Sequence, residues 1–226
     1  MLTFNDIWTE DAAQYLFSIL LPITATKICS RISMPVYGSP VPVSLESFGV
    51  LTSAMLDASR AAVFAMSVNA GLAVAAYSFS DKQKLYCLSW IHLWKPKNIY
   101  TLGYILGFVP AAYVVTLVQS PGISLVTCVL LNVLRLLLGH CVILFLGVAW
   151  MFSLNVKNIF RIGVYPFLPG MVVKSIAGGL LTGMFWCSAS MGDAESRKGA
   201  MASFTIVCCL CWIISGACVY FARDPV

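Results

Sequence analysis

Val164-Tyr-Pro-Phe-Leu-Pro-Gly-Met-Val-Val-Lys174 carries a lysine into a membrane. Two prolines and a glycine precede a long apolar run, and Lys174 falls about one helical turn inside it. At the centre of a lipid-facing helix an ammonium costs about 2.5–3.5 kcal/mol on insertion scales. Such a lysine either snorkels to an interface or faces a polar cavity. The Pro-Phe-Leu-Pro-Gly lead-in favours the cavity. It starts a helix at a fixed place, leaving backbone N–H groups and the positive end of the helix dipole beside the cation. An anion suits that position.

Outward from this stretch, composition sets the class. The chain has 226 residues, 60% of them hydrophobic and 10% charged, with a mean hydropathy of +0.88. Soluble domains carry about 25% charged residues, so this is an all-α polytopic transmembrane bundle. The net charge of +5 is scattered, and no basic run points to nucleic acid. The nine cysteines sit mostly in or beside apolar runs, where cysteine acts as a small hydrophobe. Cys208-Cys209-Leu-Cys211 has no neighbouring His, Asp or Glu to complete a metal site. No removable signal peptide is expected, since the first residues carry Asp6, Glu10 and Asp11 and no Lys or Arg.

Measured against a crossing length of about 20 residues, the apolar runs predict six spans and a seventh. They cover roughly Tyr15–Ile32, Pro42–Leu56, Arg60–Phe79, Tyr100–Gln119, Ser124–Phe152 and Pro169–Ser188, and then Met201–Phe221. The second is short and follows Pro40-Val-Pro42. The whole of 1–226 forms a single transmembrane domain, with 1–190 as its core and 191–226 as an added C-terminal helix. Irregular backbone at membrane depth survives where it lines a cavity or is buried in protein, so the Pro-rich starts of the second and sixth spans are candidates for a ligand chamber. With a cytoplasmic N-terminus the outward loops hold Arg31, Lys82, Lys84, Lys95, Lys97, Lys157 and Arg161, which the positive-inside rule opposes.

An enzyme needs a constellation that is absent here. Asp57 is alone, His92 and His140 lack carboxylate partners in any obvious register, and there is no Walker-type loop. His140 and Arg135 share one span and read as residues buried against another helix or snorkelling. Binding fits better. Glu46, Lys174, Tyr104, Asn98 and the Trp90/Trp94 pair supply a few polar groups among aromatic and apolar walls, the usual make-up of a small-molecule site. Taken singly, each has an ordinary role: Trp90 and Trp94 as interfacial belt, Tyr104 in packing, Glu46 at a helix start.

Four of these stretches carry a family resemblance. Ser39-Pro-Val-Pro-Val-Ser-Leu-Glu-Ser-Phe-Gly-Val50 resembles the P-V-P-[IV]-T-L-Q-T-[FL]-G-V motif of the BioY family, biotin-binding S components of energy-coupling-factor (ECF) vitamin transporters. Tyr100-Thr-Leu-Gly-Tyr-Ile-Leu-Gly-Phe108 is similar to P-T-G-G-Y-L-[IL]-G-F, and Leu146-Gly-Val-Ala-Trp150 to L-G-V-P-W. Pro166-Phe-Leu-Pro-Gly-Met-Val-Val-Lys174 is similar to P-F-L-P-G-D-L-L-K. The four occur in order between about Arg31 and Leu181.

The resemblance implies that Lys174 and Tyr104 line a biotin pocket, with Pro40 to Phe48 as a lid. It implies a cytoplasmic N-terminus in a bacterial inner (cytoplasmic) membrane, with the pocket open to the outside. Partners would be biotin, membrane lipid, an ECF transmembrane coupling protein and ATPase subunits. No cofactor is implied, because biotin is cargo. Another small carboxylate or vitamin, or a structural membrane subunit, is the alternative. Three departures stand out. Met171 replaces the family's acidic residue, with Glu46, where the family has Gln, as a possible substitute; Leu102 replaces a glycine; and the first helix lacks a small-x-x-x-small face and carries Lys27 instead.

Overall fold

The computed structural model describes residues 10–34, 41–57, 60–80, 99–117 and 124–190. Helix α1 covers Glu10–Arg31, α2 Glu46–Asp57, α3 Arg60–Ser80, α4 Ile99–Leu106, α5 Phe108–Thr116, α6 Leu125–Ser153, α7 Ile159–Gly163 and α8 Leu168–Ser190. Two short strands, β1 (Ser33–Met34) and β2 (Val43–Ser44), pair antiparallel with Ser33 opposite Ser44. The fold is an all-α bundle, and helices cover the six apolar runs that hydropathy predicts within the described residues. The seventh run, Met201–Phe221, and the Cys208–Cys211 cluster lie outside the described residues.

Among the described residues, three stretches are long and apolar enough to cross a membrane: Ile99–Thr116, Leu125–Ser153 and Ile159–Trp186. Their side chains are sorted as lipid requires. Along α6 the outer face exposes Leu130, Leu134, Leu138, Phe145 and Phe152, while Asn132, Gly139, His140 and Gly147 turn inward. Across the bundle Thr26, Thr52, Ser53, Asn69, Asn132, Lys174, Ser175 and Thr182 are buried as well. Apolar groups outside and polar groups within mark a protein whose solvent is lipid.

Helix α6 forms the spine, packing on α8, α4 and α5, while α1 packs on α2 and α3. Glycine permits the closest approaches. A Cβ on Gly179 of α8 would lie 2.3 Å from Val133 Cγ2 and 2.7 Å from the Val133 backbone nitrogen, and one on Gly183 would lie 2.5 Å from Val129 Cγ2. This small-residue seam lets α8 and α6 meet backbone to backbone.

The fourth span runs as one apolar helix over Ile99–Thr116, as predicted, with one hydrogen bond missing where α4 passes into α5 at Gly107. Pro110 has no N–H to give the carbonyl of Leu106, the last residue of α4. At its far end α6 stops in a left-handed Asn155 (φ 54°), with Asn155 N donating to Phe152 O at 3.0 Å and Val156 N to Met151 O at 3.2 Å. That is the Schellman pattern with asparagine in glycine's usual place, and it directs the chain into α7.

Candidate functional site

The C-terminal end of α1, the β2–α2 corner, α4, the second half of α6 and the start of α8 enclose a cavity of about 450 Å³. This is within the size range of small-molecule sites. Its walls come from sequence positions far apart, so each needs its own positioning device.

Lys174 projects from the second turn of α8 and is only 9% exposed. Its ammonium donates to Ser44 O at 2.5 Å and to Ser47 Oγ at 3.2 Å. The β1–β2 pair presents that carbonyl, aided by a bond from Leu45 N to Ile32 O at 3.0 Å. Ser44 Oγ accepts from Glu46 N at 3.4 Å, and Glu46 lies in the first turn of α2, where the helix dipole favours a carboxylate. The helix has only 12 residues, a length of about 18 Å against a hydrocarbon core of about 30 Å. The non-helical stretch 41–45 precedes it, and Val41, Pro42 and Ser44 of that stretch line the cavity.

The entrance to α8 holds fewer open donors than the sequence predicts. Pro169 has none, and Met171 N donates to Phe167 O at 2.8 Å. The Lys174 side chain, rather than the helix end, is the principal donor there.

Tyr104 lines the cavity with its ring, but its hydroxyl proton is committed to Gly163 O at 2.9 Å. The ring packs on Phe167 with centroids 5.5 Å apart, and on Gly147, where a Cβ would lie 2.4 Å from it. Trp150 Nε1 donates to Ile99 O at 2.9 Å and ties the start of α4 to α6. Leu102, the residue in place of a family glycine, is buried in the core, and Gly103 beside it meets Trp150.

Of the residues singled out in the sequence, Lys174, Tyr104, Met171 and Glu46 all line this cavity. Asn98 and Trp90 lie outside the described residues. The structure adds Lys27 and Arg31, a turn apart on α1, together with Thr101, His140 and Phe167. Lys27 was visible in the sequence as a cation inside an apolar run, and its i, i+4 relation to Arg31 was the available signal. His140 and Arg135 part company: His140 is buried on the cavity wall, whereas Arg135 donates to Asn132 Oδ1 at 3.2 Å along the same helix.

The wall therefore holds three cations, Lys27, Arg31 and Lys174, against the carboxylate of Glu46. Such an enclosure attracts an anion and offers it donors. Among the described residues no three His, Cys, Asp or Glu side chains gather as a metal site.

The family model that matches the chain is that of the BioY family, over residues 5–190, more than four-fifths of the sequence. No curated protein and no solved structure matches it.

Proposed function

The chain belongs to the BioY family, and from that premise we propose that it binds biotin in the cavity around Lys174. It then serves as the substrate-binding S component of an ECF transporter in the bacterial cytoplasmic membrane. One observation carries this reading: a buried ammonium on the cavity wall spends two of its three N–H groups on neutral acceptors, Ser44 O and Ser47 Oγ. The third is available to a ligand oxygen. A charge kept at that depth in an apolar bundle is costly and points to a ligand that repays it.

Biotin brings what the wall lacks. Its carboxylate answers the excess of cations, and its bicyclic ring suits Tyr104, Phe108 and Phe167. Lys27 and Arg31 draw the anion in, and Lys174 fixes an oxygen within. No covalent chemistry is required of the chain, so it acts as a binding subunit and not as an enzyme. The energy for uptake comes from separate ATPase subunits through a transmembrane coupling protein. The N-terminus is cytoplasmic, and the cavity opens outward beside Arg31.

Met171 favours a second reading, a different small carboxylate without ring N–H groups, because a thioether is a poor acceptor for them. One experiment separates the two. The chain is purified in detergent, co-purifying small molecules are identified by mass spectrometry, and biotin is titrated into ligand-free protein by calorimetry. Biotin in the extract with saturable heat supports the first reading. Another carboxylate, with no heat from biotin, replaces it with the second.

A further inference from the structure

The cavity wall has two sides of different character. The more apolar side comes from α4, α6 and the start of α8, with Ile105, Phe108, Ile143, Leu144 and Phe167. The polar side comes from α1, the β1–β2 pair and α2, and Lys174 reaches across to it through Ser44 O and Ser47 Oγ. Cations therefore occupy two places on the polar side. One is the Lys174 ammonium at the β2–α2 corner; the other is Lys27 with Arg31, one turn apart on α1.

The two places differ in what they can hold. Lys174 is buried, and two of its three N–H groups are spent on neutral acceptors. The Glu46 carboxylate, on the same wall, acts electrostatically on both Lys174 and Lys27. A ligand carboxylate brought to Lys174 would meet one ammonium, one open N–H and the opposing charge of Glu46. Brought to α1, it meets two cations against that same charge. Lys27 and Arg31 also repel each other, and an anion between them removes that cost. Arg31 adds a planar fork that grips both oxygens of a carboxylate. Exposure runs the same way, with Arg31 exposed, Lys27 half-buried and Lys174 buried. A charged group of the ligand gives up least hydration at the exposed end.

We propose that Lys27 and Arg31 form the carboxylate clamp of this cavity, and that Lys174 gives its remaining N–H to a neutral oxygen of the ligand. The assignment rests on the biotin reading above. There the neutral oxygen is the ureido carbonyl, the ring lies against Phe108 and Phe167, and the acyl chain runs back toward α1. The ligand enters ring first.

Calorimetry on the full-length chain tests it, with biotin and its primary amide, a neutral probe of nearly the same shape. The wild type should prefer biotin over the amide by about ten- to a hundredfold. In the double variant Lys27→Gln, Arg31→Gln that preference should vanish while the amide binds as it does to wild type, which also shows the variant folded. In Lys174→Ala both probes should lose affinity by the same factor, so the preference stays, because the two interactions are independent. A preference that survives the double variant, or one that disappears in Lys174→Ala, would overturn the assignment. So would a wild type that binds acid and amide equally, an arm that needs no variant. Should the double variant fail to fold, Lys174→Ala decides alone: a preference kept there supports the clamp on α1, and a preference lost there moves the carboxylate to Lys174. Absence of any biotin binding by the wild type would sink the biotin reading itself, whereas biotin binding with its preference intact in the double variant sinks only the clamp.

Discussion

Lys174 ties three things together at the scale of a residue: the β2 carbonyl of Ser44, the Ser47 hydroxyl of α2, and the cavity. Truncation to Lys174→Ala removes a charge-assisted bond to the ligand, worth about 1.5–3 kcal/mol, and with it the cost of burying an ammonium. We expect biotin affinity to fall at least about tenfold while the bundle stays folded, as checked by calorimetry beside a thermal melt. Met171→Asp places a carboxylate on the same wall, one turn before Ser175. Biotin should then bind more tightly, by up to about tenfold, read in the same titration. These two positions were legible in the sequence because each lies in a motif or breaks one. His140 was not. A histidine in an apolar helix looks the same in sequence whether it faces lipid, a neighbour or a cavity, and its place on the wall depends on packing against Ser175, a residue on another helix.

Between elements, the decisive contact is the glycine seam of α8 on α6. Gly179→Val puts a branched side chain where even a Cβ would lie 2.7 Å from the Val133 backbone nitrogen. Overpacking of this kind costs about 1–3 kcal/mol. Because Lys174 rides on α8 only five residues earlier, the same change should displace the ammonium and cost biotin affinity as well as melting temperature. Gly71→Ala, on a helix face with nothing within 4 Å of the new methyl, should leave binding unchanged. Hydropathy located the helices because lipid demands long apolar runs. It missed the β1–β2 pair, since strands of two residues have no period to detect.

Over the whole molecule, the 29 residues of α6 extend about 44 Å, more than the hydrocarbon core is thick. Exposed Ser124 at one end and exposed Lys157 just beyond the other therefore fall on opposite sides of the bilayer. In intact cells, Lys157→Cys should react with a membrane-impermeant maleimide above the background of the nine native cysteines, and Ser124→Cys should not. The reverse pattern would restore the positive-inside orientation and turn the cavity toward the cytoplasm. The cavity itself belongs to no fragment of the chain. Its walls run from Lys27 to Lys174 in sequence and meet only once five segments have assembled. Thermodynamic linkage follows from this, since a molecule that fits the assembled walls and no partial structure acts as a staple on the entire bundle. At a free concentration one hundred times its dissociation constant, biotin should raise the stability of the folded chain by about 2.7 kcal/mol. A shift in detergent melting temperature on adding biotin would therefore report occupancy of the cavity without a label, a partner subunit or a transport assay.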